Sequence, residues 1–206
     1  GSLLHAPDMY MKKIAVGAGA KGAININKSN KDNIINVAMA LNKDVSEVTV
    51  IVQERERHED IIKDAREVGA RVKLIAAVLA CGFEDTGIDI MIGTGGAPEG
   101  VIAAAAIKCM GGDMQAKLVH QNEEEIERCK TMGIKDINKV LYINDLVKSD
   151  DVYFAATGIT DCDLLKGVVY SKNNWGTTHS VVMRSKTGTI RFINAHHQLL
   201  KSNLVV

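Results

Sequence analysis

The sequence predicts an α/β fold, a largely parallel sheet with helices plus a C-terminal antiparallel hairpin. Short β-branched or aliphatic runs alternate with segments of helical periodicity, and the links between them are short. The run Ile88 to Ile92 has no polar position except Asp89, as expected of a strand covered on both faces. Near the end, Thr177 to Arg184 and Thr189 to Asn194 flank Ser185-Lys186-Thr187-Gly188, a hairpin signature.

In chain order, Met11 to Val16 reads as a strand and Gly17 to Gly22 as a flexible link. Asn30 caps a predicted helix to about Leu41, with Ile34, Ile35, Val37, Ala38 and Leu41 at helical spacing. Val48 to Val52 is a β-branched strand. His58 to Val68 is an amphipathic helix, with Ile61, Ile62, Ala65 and Val68 on one face and Gly69 as its stop. Arg71 to Ile75 reads as a strand and Ala76 to Ala80 as helical. Beyond Ile92, a glycine turn leads into an Ala-rich helix, Val101 to Met110. Then follow strand Gln115 to His120, helix Glu123 to Met132 and strands Val140 to Ile143 and Asp151 to Ala155. Residues 1–195 form the folded portion, and 196–206 read as a frayed tail.

Composition narrows the function classes. With 206 residues the chain can bury a substantial core, and with only 4% aromatics that core must be aliphatic. Lysines plus arginines equal aspartates plus glutamates at 25 each, so no basic field argues for a nucleic-acid or membrane partner. Cys81, Cys109, Cys129 and Cys162 are scattered without a C-x-x-C pair, as in a reduced, cytoplasmic protein. The chain starts Gly1-Ser2 without an initiator Met, which fits either a cloning scar or the cut end of a longer chain.

The most informative stretch is Gly93-Thr94-Gly95-Gly96-Ala97-Pro98-Glu99-Gly100, between the strand and the Ala-rich helix. Glycines let a backbone approach a ligand or adopt positive φ. Pro98 suits a first helical turn, and a helix N-terminus suits a phosphate. Glu99 would repel that phosphate unless a cation lay between them. Two other polar segments follow predicted strands: Glu54-Arg55-Glu56-Arg57-His58 and Thr157-Gly158-Ile159-Thr160-Asp161. Ligands of such sheets sit beyond the carboxyl ends of the strands, so the three loops are expected to converge. Arg55 and Arg57 can grip phosphate bidentately, or form a solvated loop. Asp161-Cys162-Asp163 reads as a helix cap before Leu164 rather than a metal site. His58 reads as a cap or bystander, His196-His197 as a weak metal signal, and Lys21 as an exposed loop lysine. No hydrolase triad or Walker motif stands out.

Several of these segments together resemble class II fructose-1,6-bisphosphatases, the bacterial type that in some lineages also takes sedoheptulose-1,7-bisphosphate. The matching stretches are Leu4-His5-Ala6-Pro7-Asp8-Met9-Tyr10-Met11, Arg57-His58 and Gly95-Gly96-Ala97-Pro98-Glu99-Gly100-Val101. Further matches are Glu127-Arg128-Cys129-Lys130-Thr131-Met132-Gly133-Ile134 and Ala155-Ala156-Thr157-Gly158-Ile159-Thr160. The resemblance implies a fold similar to the lithium-sensitive sugar and inositol phosphatases, here incomplete. It implies hydrolysis of the 1-phosphate of fructose-1,6-bisphosphate with Mg²⁺ or Mn²⁺, by a homo-oligomer. It further implies that Tyr10, Arg55, Glu56, Arg57 and Gly96 bind substrate and that Glu99 is both the metal ligand and catalytic. A cation would reconcile Glu99 with a neighbouring phosphate.

Two departures stand out. The family's Asp-Pro-Ile-Glu-Gly-Thr and Gly-Glu-Gly-Glu motifs, which bind metal, do not occur here. Its Asp-Gly-Asp-Val loop is also absent: Ile75 runs directly into Ala76, about five residues short, a strand-to-helix connection hard to close. The chain as written is therefore expected to be inactive alone, the alternative being a truncated, non-catalytic sugar-phosphate binder. A dinucleotide enzyme is disfavoured, since Pro98 stands three after Gly95 where G-x-G-x-x-G needs glycine.

Overall fold

A computed structural model describes residues 1–74, 81–83, 86–134, 136–162 and 164–200. The helical segment expected at Ala76 to Ala80, and the missing-loop position between Ile75 and Ala76, lie outside the described residues.

Among the described residues, ten strands form two sheets, accompanied by five α-helices. The first sheet has the order β3-β2-β4-β1-β5-β6, built from β1 (Tyr10–Val16), β2 (Thr49–Val52), β3 (Arg71–Leu74), β4 (Ile90–Gly96), β5 (Asp113–Val119) and β6 (Leu141–Tyr142). β2 is parallel to β3 and β4. β1 is antiparallel to both β4 and β5, and β6 to β5. Four strands, β2 to β5, thus share one direction, which is the sense in which the sheet is largely parallel; β1 and β6 run against it. The second sheet is antiparallel: β7 (Tyr153–Thr157), β8 (Val169–Ser171), β9 (Trp175–Arg184) and β10 (Thr189–Gln198), with β9 paired to the other three.

Side-chain alternation explains the layers. On one face of the first sheet, Ile14, Val16, Val50, Val52, Ile90 and Ile92 pack beneath α1 (Asn30–Leu41) and α2 (Glu59–Glu67). On the other face, Met11, Ala15, Ile51, Met91, Met114 and Ala116 meet α3 (Ala97–Cys109), with Cys129 of α4 (Glu123–Thr131) and Leu146 of α5 (Ile143–Leu146). The far side of α3 buries Ala106 and Cys109 against Val181, Met183 and Phe154 of the second sheet. α3 is therefore a buried central helix, and its alanines let both sheets approach closely.

Several expectations need correction. Ser29, not Asn30, caps α1, its side chain accepting from Asp32 N–H. The hairpin is present, but β10 extends through His196 and His197 to Gln198, so the tail does not fray at residue 196. The Thr177 and Thr178 hydroxyls hydrogen-bond these two histidines, which anchors the strand's end. Among the described residues no helix follows Asp161; its carboxylate instead accepts from Gly167 N–H within a loop, and Asp163 lies outside the described residues. The last residue of the expected strand Val140 to Ile143 begins α5. Burial pushes the Cys81 thiol up to about 12 and raises those of Cys109 and Cys129, so these three are packed thiols rather than nucleophiles. Among the described residues no helix is long and apolar enough to cross a membrane.

Candidate active site

The glycine stretch is not a turn. Gly93 to Gly96 continue β4, pairing with Lys13 to Tyr10 of β1, and α3 starts at Ala97 without a linker. None of Gly93, Gly95 and Gly96 has positive φ. These glycines matter because nothing projects from them. A Cβ on Gly95 would stand 3.4 Å from Lys13 Nζ, one on Gly96 would overlap Glu99 Oε2, and one on Gly100 would crowd Lys13 Cδ at 3.1 Å. Bare backbone thus leaves room for two charged side chains.

Because β1 runs against its neighbours, its start at Tyr10 lies beside the end of β4, with Tyr10 opposite Gly96. The carboxyl ends of β2 and β4 and the start of β1 enclose a cavity of about 310 Å³. Tyr10, Lys13, Arg55, Arg57 and Glu99 line it, with Gln53 and the backbone of Gly93 to Gly96. Three cationic side chains face one carboxylate, so the cavity has an excess of two positive charges and suits an anion.

Arg57 is preorganised. Its Nε donates to Thr94 O at 3.1 Å, and its guanidinium lies over the Tyr10 ring, 5.1 Å from the centroid. His58, next in sequence, is 1% exposed and joins two strands. With the proton on Nδ1 it donates to Gln53 O at 2.9 Å, while Nε2 accepts Thr94 N–H at 2.8 Å. It thereby holds Thr94, whose carbonyl Arg57 uses. Of the expected cap or bystander, His58 does stand at the N-cap position of α2, without a side-chain capping bond, while its ring braces Thr94. The N-terminus of α3 offers less than predicted. Ala97 N–H donates to Met9 O at 2.8 Å and Pro98 has no N–H, so of the first three helical positions only Glu99 can donate to a ligand.

Lys13 also lines the cavity and belongs to none of the sequence motifs. It is 5% exposed, and its Nζ donates to Gly96 O at 2.8 Å. Burial is the main force lowering its pKa; Glu99 acts to raise it and Arg57 to lower it. The signal was in the strand itself: Met11, Lys13 and Ala15 share an inward face by two-residue alternation, and a lysine in that row is out of place.

Of the residues singled out in the sequence, Tyr10, Arg55, Arg57, Gly96 and Glu99 come together here. Glu56 does not. It lines an adjoining open groove of about 880 Å³ with Glu59, Lys63 and Arg66, a groove that Arg55 also borders. That groove is larger, but it has solvated charges of both signs and no converging backbone. The loop from Thr157 to Asp161 does not reach the cavity, because β7 joins the second sheet rather than the first. Among the described residues no group of three or more His, Cys, Asp or Glu converges as a metal site.

Fold and cavity together define an α/β protein with a positively charged cavity at its strand ends. Residues 1–197 match the family model of bacterial fructose-1,6-bisphosphatase, glpX-encoded, and the chain belongs to that family. It is 42% identical over 216 aligned positions to a fructose-1,6-bisphosphatase class 2 of Haemophilus influenzae, covering 96% of this chain and 64% of the relative. It is 43% identical over 218 positions to fructose-1,6-bisphosphatase 1 class 2 of Escherichia coli, covering 97% and 64%. The chain thus spans a little under two-thirds of the length of these relatives. Both alignments are longer than the chain, so the relatives carry residues with no counterpart here.

Proposed function

We propose that these residues form the substrate-binding side of a fructose-1,6-bisphosphatase active site, in an enzyme that releases the 1-phosphate with the help of Mg²⁺ or Mn²⁺. The supporting observation is the single cavity that gathers Tyr10, Arg55, Arg57, Gly96 and Glu99 with an excess of positive charge. Arg57, braced by Thr94 and Tyr10, grips a phosphate bidentately, and Arg55 adds a second cation. The bare Gly96 backbone lets the sugar phosphate lie against the sheet edge. Glu56, outside the cavity, makes no contact in this scheme.

Glu99 is proposed as one ligand of the divalent cation, whose chemistry would be to polarise a phosphoryl oxygen and activate water. Such an ion takes six or more oxygen ligands, and the described cavity offers one carboxylate. The described donor set does not by itself fit the cation, so the work of these residues is to bind and orient the bisphosphate. A non-catalytic sugar-phosphate binder is not favoured, because the matched relatives are phosphatases by name.

In an intact enzyme carrying these residues, Glu99→Gln is expected to abolish Mn²⁺-dependent phosphate release while substrate affinity falls only several-fold. Undiminished release would overturn the assignment.

A further inference from the structure

Lys13 has no part in the motifs that carry the resemblance, yet it is the most deeply buried charge at the site. Its stem passes Gly100 in a slot that a Cβ there would narrow, and its head ends beside Gly95 on the cavity wall. An ammonium group has three donors, and Gly96 O accepts one. Among the described residues no carboxylate forms an ion pair with it. Propping up one carbonyl needs only a neutral donor, so burying a full charge there is unexplained by the fold alone. Lys13, Arg55 and Arg57 line the same cavity against the one carboxylate of Glu99, which leaves an excess of positive charge there. Two like charges in such a space are relieved by an anion between them.

We propose that Lys13 is a direct ligand of the substrate's phosphate dianion, contributing its remaining N–H donors to the anion that Arg57 grips. This rests on the function proposed above. Lys13 enters from the sheet, through the glycine slot, while Arg57 enters from the segment after β2. The pair fixes the phosphate between a point charge and a planar fork, and Gly100 keeps the slot open for the lysine stem.

The test titrates fructose-1,6-bisphosphate, and separately inorganic phosphate, into the chain and its Lys13→Met and Arg57→Ala variants by calorimetry. In parallel, the Lys13 side-chain NMR signal of the unsubstituted chain is followed during the phosphate titration. Binding weakened at least ten-fold in folded Lys13→Met, with a Lys13 signal that moves on saturation, is the expected result. If Arg57→Ala weakens binding but Lys13→Met does not, the Lys13 assignment fails and the proposed function stands. If the unsubstituted chain binds neither probe, the proposed function fails and takes this assignment with it. Should Lys13→Met not fold, the NMR arm decides: an unmoved Lys13 signal at saturation overturns the assignment.

Discussion

The two sheets of this molecule are built by different rules. In the six-stranded sheet both faces are covered, and all four residues of β2 are buried. In the four-stranded sheet one face packs Val181, Met183 and Phe154 on α3, while the other presents Tyr153 at 64% and Ile193 at 42% exposure. The first gathers three cationic side chains around a cavity at its strand ends. Of the charges at those strand ends, Lys13 is buried between the layers, whereas Arg55, Arg57 and Glu99 are exposed at the cavity's mouth. The second sheet clamps α3 from behind and so supports Glu99 without touching it.

That division can be broken experimentally, starting with the largest effect. Met183→Ala empties a fully buried position in the second sheet and is expected to cost about 2 to 5 kcal/mol by urea denaturation. The affinity of the folded fraction for fructose-1,6-bisphosphate should not change. A parallel loss of affinity would mean that the second sheet tunes the site directly.

Gly96→Ala does the reverse. The new Cβ meets the far end of the flexible Glu99 side chain rather than backbone, so stability should fall by about 1 kcal/mol or less. Glu99 is displaced, and phosphate release by an intact enzyme with this change should drop about ten-fold or more. Thermal denaturation and a phosphate assay separate the two effects.

The smallest effect lies in the second sheet. Arg184 donates twice to Asp151, at 2.7 and 2.6 Å, and this pairing holds the carboxyl below its ordinary value of 3.8. A carboxylate pKa depressed by folding stabilises the native state above the unfolded value, and that increment disappears as pH falls through the folded value. The contribution is thus complete near neutrality and lost below about pH 3.8, and it is small because both groups are solvated. Asp151→Asn should leave ligand binding unaltered and remove a minor acid-dependent part of the melting temperature. A change in affinity would again link the two sheets.

Much of this organisation was legible in the residues. Helices such as Asn30–Leu41 and strands such as β2 follow from periodicity alone, because each buries one stripe or both faces. What escaped was set by long-range pairing. Gly93 to Gly96 carry the same local signal as a turn, and only the β1 partner makes them strand. β7 reads like the earlier strands, but its partner is β9, which takes the Thr157 loop away from the site. His196 and His197 read as a tail until Thr177 and Thr178 are placed opposite them. At the site, Arg55, Arg57 and Glu99 stood out by residue type and place, and the resemblance gave them roles. Lys13 and His58 needed the cavity, although the inward row of β1 already held a lysine where an aliphatic belonged.

The central claim is that an anion-binding cavity at the ends of β2 and β4 takes a sugar bisphosphate through Arg57. Calorimetric titration of fructose-1,6-bisphosphate into the chain and into Arg57→Ala tests it most directly. Loss of a charge-assisted bidentate contact predicts affinity lower by about 10- to 100-fold, with an unchanged urea midpoint. Equal affinity in the two proteins would contradict the account.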